Sequence, residues 1–143
     1  MAQFKAILVP VDGSANSDRA VKHALALVAA GLSAELHFLN VQPNLGGAIS
    51  TFVNRDQIDS YHREEGHKCL ASAVELAKKA SVPAKVHIGV GRQGEIVRDY
   101  AKKLGVGLVV MGTRGHTGLA GVLLGSVAQD VIAHADVPVT LVK

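Results

Sequence analysis

Short, β-rich apolar runs alternate with helical patterns along the whole chain, and this alternation constrains the fold more than any other feature. "KAILVPV" (residues 5–11), "AELHFLNVQ" (34–42), "AKVHIGV" (84–90), "GLVVMG" (107–112) and "VPVTLV" (137–142) read as strands. Between them lie stretches with apolar residues at three- and four-residue spacing, the period of a helix with one buried face. In "SANSDRAVKHALALVAAG", Ala20, Val21, Ala24, Leu25 and Val28 form one stripe, Ser14 or Asn16 is placed to cap it, and Gly31 stops it. A longer helix runs from about Asp56 to Ala80, with Ile58, Tyr61, Leu70, Ala73, Val74 and Ala77 toward its inner face. "GEIVRDYAKKL" and "SVAQDVIAHA" are the remaining helices. Strands separated by helices imply parallel pairing through right-handed crossovers, and so a doubly wound α/β sandwich. With 143 residues and no repeat or break in composition, one domain spanning residues 1–143 is expected.

Composition supports this and narrows function. Aromatic residues are 3% of the chain, so the core must be built from Val, Leu, Ile and Ala, which suits parallel strands buried on both faces. The net charge of +3 comes from scattered Lys and Arg, with no basic block and few rings for base stacking, so nucleic-acid binding is not expected. No apolar run approaches the ~20 residues that span a bilayer, and "MAQFKAILVPVD" lacks the features of a signal peptide. No membrane association and a cytoplasmic location are therefore expected. Cys69 is the only cysteine, which rules out an internal disulfide; placed beside Leu70 in a helical pattern, it reads as a packed, inert thiol.

In doubly wound sheets ligands sit beyond the carboxyl ends of the strands, so the strand-to-helix turns carry the functional information. "GVGRQG" (Gly89 to Gly94) matches a dinucleotide-binding pattern by letter, but it follows the third strand rather than the first. No acidic residue stands where such a motif needs one, so it reads as a tight turn before a helix. No Walker A sequence occurs. The fourth turn, "MGTRGHTGLAGVLLGSV", differs: Gly112, Gly115 and Gly125 are spaced G-x2-G-x9-G, with Ser126 immediately after. Glycines let a backbone approach a ligand and present successive N–H donors, and a helix beginning at Gly125–Ser126 adds its own free N–H groups. Taken alone, this spacing fits either a phosphate cradle or a connector, although Leu119, Val122, Leu123 and Leu124 are too apolar for a freely solvated linker. Asp12, at the end of the first strand, fits either a turn cap with Gly13 and Ser14 or a hydrogen bond to a base or ribose.

The histidines do not form a metal or catalytic set. His62 and His67 are five apart, off the spacing that aligns two ligands on one helix face. His37 and His87 lie on strands among apolar residues, and His134 stands where it can satisfy terminal helix carbonyls. His116 lies inside the glycine-rich turn and Arg114 at its start, where either could meet an anion or face solvent.

"ILVPVDGS" at the start and "VVMGTRGHTGLAGVLLGSV…VIAHADVPVTLV" at the end together resemble the universal stress protein family, over essentially the whole chain. The G-x2-G-x9-G-[ST] spacing is similar to that of the family's ATP-binding branch. The resemblance implies a five-stranded parallel sheet in the order 3-2-1-4-5, like that of the adenine nucleotide alpha hydrolases, with ATP at the ends of strands one and four. By the same resemblance Pro10, Val11 and Asp12 would border the adenine, with Asp12 on the base or ribose, and Val41 would supply backbone contacts to the adenine edge. Met111 and Gly112 would lie near the ribose and α-phosphate; Thr113, Arg114 and Gly115 would begin the phosphate loop; and Gly125, Ser126 and Val127 would complete it. Mg or Mn would be held through the phosphates. A hydroxyl residue that many members carry two positions after the last glycine is replaced here by Val127 and Ala128, a loss of ~0.5–1.5 kcal/mol if it bonds phosphate. The implied function is a nucleotide-responsive regulatory module with a protein partner. Slow ATP hydrolysis or self-phosphorylation, and a non-nucleotide interaction role, are the alternatives. The apolar last strand, Val137 to Val142, would pair with its copy in a homodimer.

Overall fold

The computed structural model describes residues 4–47, 52–114 and 124–143. Within them five strands, β1 (Ala6–Pro10), β2 (Glu35–Gln42), β3 (Ala84–Val90), β4 (Leu108–Gly112) and β5 (Val139–Val142), form one parallel sheet in the order β3-β2-β1-β4-β5. The helices are α1 (Ala15–Ala29), α2 (Arg55–Lys79), α3 (Gln93–Leu104) and α4 (Ser126–His134). This is the doubly wound α/β sheet that the alternation predicts.

The strands alternate between two cores, as a sheet covered on both faces must. Ile7 and Val9 of β1, Leu36 and Phe38 of β2 and Val110 of β4 pack against Ala20, Val21 and Ala24 of α1 and Leu70, Ala73 and Ala77 of α2. Ala6, Leu8, Leu39, Val41, Val109 and Met111 face the other way, onto Val97 and Ala101 of α3 and Ala128 and Val131 of α4. The predicted stripe on α1 is the buried one. On α2, Leu70, Ala73 and Ala77 are buried, but Tyr61 is 48% exposed rather than inward. The apolar stripe there is interrupted early in the helix, and the Tyr61 ring lies tilted beside that of His62 instead. Gly66, in mid-helix, lets α2 approach β3, because a Cβ there would overlap the Ile88 side chain.

The helix boundaries follow local chemistry. The Ser14 hydroxyl accepts from the Ser17 N–H and caps α1. Asn54 and Gln57 form a reciprocal capping box at α2. The last strand begins at Val139, two residues later than its apolar run suggests. Before it, Pro138 has no N–H to give, but its carbonyl accepts from Val109.

Chain direction places the candidate site. From β1 the sheet grows one way through β2 and β3, and β4 then inserts on the opposite side of β1. The reversal point lies between β1 and β4, which pair through Ile7↔Leu108 and Leu8↔Val109.

Candidate functional site

Beyond β1 the chain turns at Asp12 and Gly13. Gly13 has φ +82°, the left-handed region where a side chain is strained, and a Cβ there would stand 3.3 Å from the Cys69 carbonyl oxygen of α2. One Asp12 carboxylate oxygen accepts from the Ser14 N–H at 2.9 Å, while the Asp12 N–H donates to the Ser17 hydroxyl at 3.2 Å. Asp12 thus makes the Asx turn that the residue types suggest, while Ser14, not Asp12, caps the helix. Pro10 is half-buried; Val11 is buried, donating to Leu39 O and accepting from the Asn40 amide at 2.7 Å.

Val41 is the penultimate residue of the neighbouring strand β2. Its carbonyl accepts from the Gln93 side chain at 3.1 Å, so one of its two lone pairs is used within the protein. Asn40, also buried, receives the Gln42 amide at 2.6 Å and bonds the Cys69 thiol. Cys69 faces this corner from α2, half-buried. Burial, together with the negative charges of Asp12 and Glu65, pushes its pKa above the ordinary thiol value. The raised value favours the thiol over the thiolate, and Cys69 stands near Asp12 rather than deep in the core.

The fourth turn is organised around a residue from α1. Met111 is buried with its side chain in the α3/α4 core, so only its backbone faces the crevice. Gly112 is required by sterics: a Cβ there would run into the Asn16 side chain. That side chain, 5% exposed, donates from its amide nitrogen to Val142 O at 2.9 Å and accepts from the Arg114 N–H at 2.7 Å. Thr113 is buried; its N–H also donates to Val142 O, and its carbonyl accepts from the Gly125 N–H at 2.7 Å. The two ends of the glycine-rich segment are therefore tied to each other. Arg114 is exposed. Gly115, predicted as the second glycine of the cradle, and His116 lie outside the described residues.

Gly125 is the N-cap of α4, in extended conformation, and supplies no side-chain cap to it. A Cβ there would stand 3.3 Å from Thr113 O, tight enough to oppose the close approach of the two segments. Ser126 and Val127 open the helix and are exposed. The third turn contrasts with this one. There the first turn of α3 is served by the protein's own anion, since the Gly94 N–H donates to the Asp130 carboxylate at 2.7 Å and Arg92 pairs with it at 3.0 Å. That backbone hydrogen bond, helped by Arg92, holds the Asp130 pKa below the usual carboxylate value. The "GVGRQG" turn is thus a structural one, and its anion-binding end is already satisfied internally.

Sequence reasoning missed Asn16 as an organiser of the fourth turn and Gln93 as a partner of Val41. Both act through contacts across the chain, which no local pattern signals. Among the described residues, no group of three or more His, Cys, Asp and Glu side chains is arranged to ligate a metal, and no helix is long and apolar enough to cross a membrane.

Comparison with known proteins agrees with this arrangement. The sequence profile of the universal stress protein family matches residues 3–143. Universal stress protein MJ0531 of Methanocaldococcus jannaschii is 34% identical over 98% of this chain and 82% of its own length. The solved structure of the hypothetical protein MJ0577 superposes with a TM-score of 0.83 at 28% identity, covering 99% of this chain and 97% of that one. A universal stress protein solved in complex with cAMP superposes with a TM-score of 0.73 at 25% identity, covering 99% of both chains. A profile match over nearly the whole chain, a relative of 34% identity and the shared fold agree: the chain belongs to the universal stress protein family.

Proposed function

We propose that this protein binds an adenine nucleotide, with ATP as its physiological ligand, between the carboxyl ends of β1 and β4, and serves as a nucleotide-responsive regulatory module in the cytoplasm. The observation that carries the reading is the convergence of two segments on one spot. The N-terminus of α4, with no side-chain cap, is held against the start of the fourth turn by the Gly125–Thr113 hydrogen bond. Exposed helix N–H groups beside close-packed glycine backbone favour phosphate. The cAMP complex of a relative with the same fold supports an adenine ligand for this chain.

In this reading Pro10, Val11, Asp12 and Val41 border the base and ribose. The backbones of Met111, Gly112, Thr113 and Arg114 approach the ribose and first phosphate, with Gly115 continuing the loop and Gly125, Ser126 and Val127 holding the outer phosphates. A Mg or Mn ion would be carried by the phosphate oxygens themselves. Two copies would pair through the β5 edge, and occupancy of the site would alter which protein partner is engaged.

Thermal unfolding with and without Mg-ATP tests the proposal. Ligand at 100 times its dissociation constant adds roughly 2.7 kcal/mol of stability. No shift at millimolar Mg-ATP overturns the reading. Ser126→Pro is the matched variant: proline is well tolerated at the first helical position and fits the extended Gly125 before it, yet it removes both the hydroxyl and one N–H from the cradle. It should keep its far-ultraviolet circular dichroism and bind ATP about tenfold more weakly.

A further inference from the structure

The side chain of Asn16 is buried, distant in sequence from both of its partners, and unused by α1, whose cap is Ser14. Its two partners are backbone groups of fixed polarity, an N–H at Arg114 and a carbonyl at Val142, so its amide orientation is determined. Val142 O accepts a second bond from Thr113, and Thr113 O accepts from Gly125. One connected network therefore links the start of the glycine-rich segment, its far end, and the last residues of the C-terminal strand. The missing side chain at Gly112 leaves the room in which Asn16 reaches across.

From this connectivity we propose that Asn16 is a positioning residue of the nucleotide site, setting the Thr113–Arg114 backbone that faces the phosphates and coupling that backbone to the end of β5. The proposal rests on the reading of this turn as a nucleotide site. It deepens that reading by making the C-terminal strand part of the site's support although it borders no ligand. A movement of the Arg114 N–H on binding pulls on the Asn16 amide and, through it, on Val142. The converse also holds: loosening the end of β5 loosens the phosphate-facing backbone. Groups in one hydrogen-bonded network are expected to depart from additivity.

The test is a double-mutant cycle read by Mg-ATP titration calorimetry on the wild type, Asn16→Ala, a chain lacking residues 142–143, and the combination. Each single change is expected to weaken ATP binding about tenfold, and the combination no more than about threefold beyond the worse single change. Independent losses that multiply to about a hundredfold, or an Asn16→Ala protein that binds like the wild type, would overturn the proposal. Should Asn16→Ala fail to fold, Asn16→Asp keeps the acceptor for Arg114 and loses the donor to Val142. In that background, removing residues 142–143 still takes the Thr113 acceptor but no longer acts through Asn16, so ATP affinity should change no more than about threefold, and a full tenfold effect there refutes the coupling. A wild type that binds no ATP overturns the parent reading and this one together, whereas a wild type that binds ATP with an additive cycle overturns the coupling alone.

Discussion

At the scale of single residues, the backbone sets its own requirements. Helices α1, α2 and α3 all end in a left-handed residue, and at two of them the residue is glycine, Gly31 and Gly105. At α2 it is Ser81, with φ +56°, followed by a Val82 N–H that reaches back to Ala77 O. A side chain in that region costs ~1–2 kcal/mol, partly offset by the greater entropy that glycine has when unfolded. Ser81→Gly is therefore expected to stabilise the protein by about 0.5–1 kcal/mol, read as a rise in denaturant midpoint at unchanged slope. The helix end itself was legible from the Ala80–Ser81–Val82–Pro83 stretch in which the apolar spacing stops. That a serine, not a glycine, would adopt the left-handed conformation was not, because residue type only biases φ. Asn16 makes the same point at the site: its residue type fits a helix cap, and its actual role depends on two backbone groups 98 and 126 positions away.

Among elements, the two glycine-bearing turns after β3 and β4 are distinguished by charge supply. Asp130, on α4, serves the first turn of α3 and ties the two helices together; His134 bonds the Asp130 carbonyl one turn further on. Because the folded-state pKa of Asp130 is lowered, its contribution is complete above the ordinary carboxylate pKa and is lost as pH falls through the lowered value. Asp130→Asn should cost about 1–2 kcal/mol near neutral pH, and its stability should fall less steeply than that of the wild type on acidification. Urea unfolding across the acid range would show both effects. The five strands and four helices set out above were readable from the alternation of apolar runs and helical spacing, because most are long enough to display a buried face. What periodicity could not show was that the literal G-x-G-x-x-G would be answered by a carboxylate 36 residues from Gly94. Nor could it show that Tyr61 would turn outward, since one apolar residue at the edge of a stripe carries little directional information.

For the whole molecule, the sheet ends in strands of different character. Along β5, the carbonyls of Pro138 and Val142 point to β4, so by the two-residue period of a strand Thr140 does too, and Val139 and Leu141 present their N–H groups to the outer edge. The proposed two-fold pairing needs those outward donors. Val139→Pro, at the first residue of the strand where proline is tolerated, should leave the inner ladder intact and convert a dimer of twice 14.9 kDa to the single chain. Sedimentation equilibrium measures this, and a wild-type protein that sediments as a single chain would rule out the pairing. The crevice between β1 and β4 was legible in outline, since the alternation implies a doubly wound parallel sheet and the family resemblance supplies its strand order. Its support was not, because the residues that brace it come from the second position of α1 and the far end of β5. That long-range bracing has a consequence for how the molecule is made. Asn16 meets Val142 across 126 positions, so during synthesis the first turn of α1 emerges long before its partner. The β1–β2–β3 half can pair while the chain is still growing, but the Thr113–Arg114 backbone lacks its C-terminal anchor until residue 142 is free to dock. Completion of the proposed crevice is thereby deferred to the last step of folding, and a ribosome-stalled chain ending at residue 141 should hold a formed sheet with a weakened site, its ATP affinity reduced about tenfold.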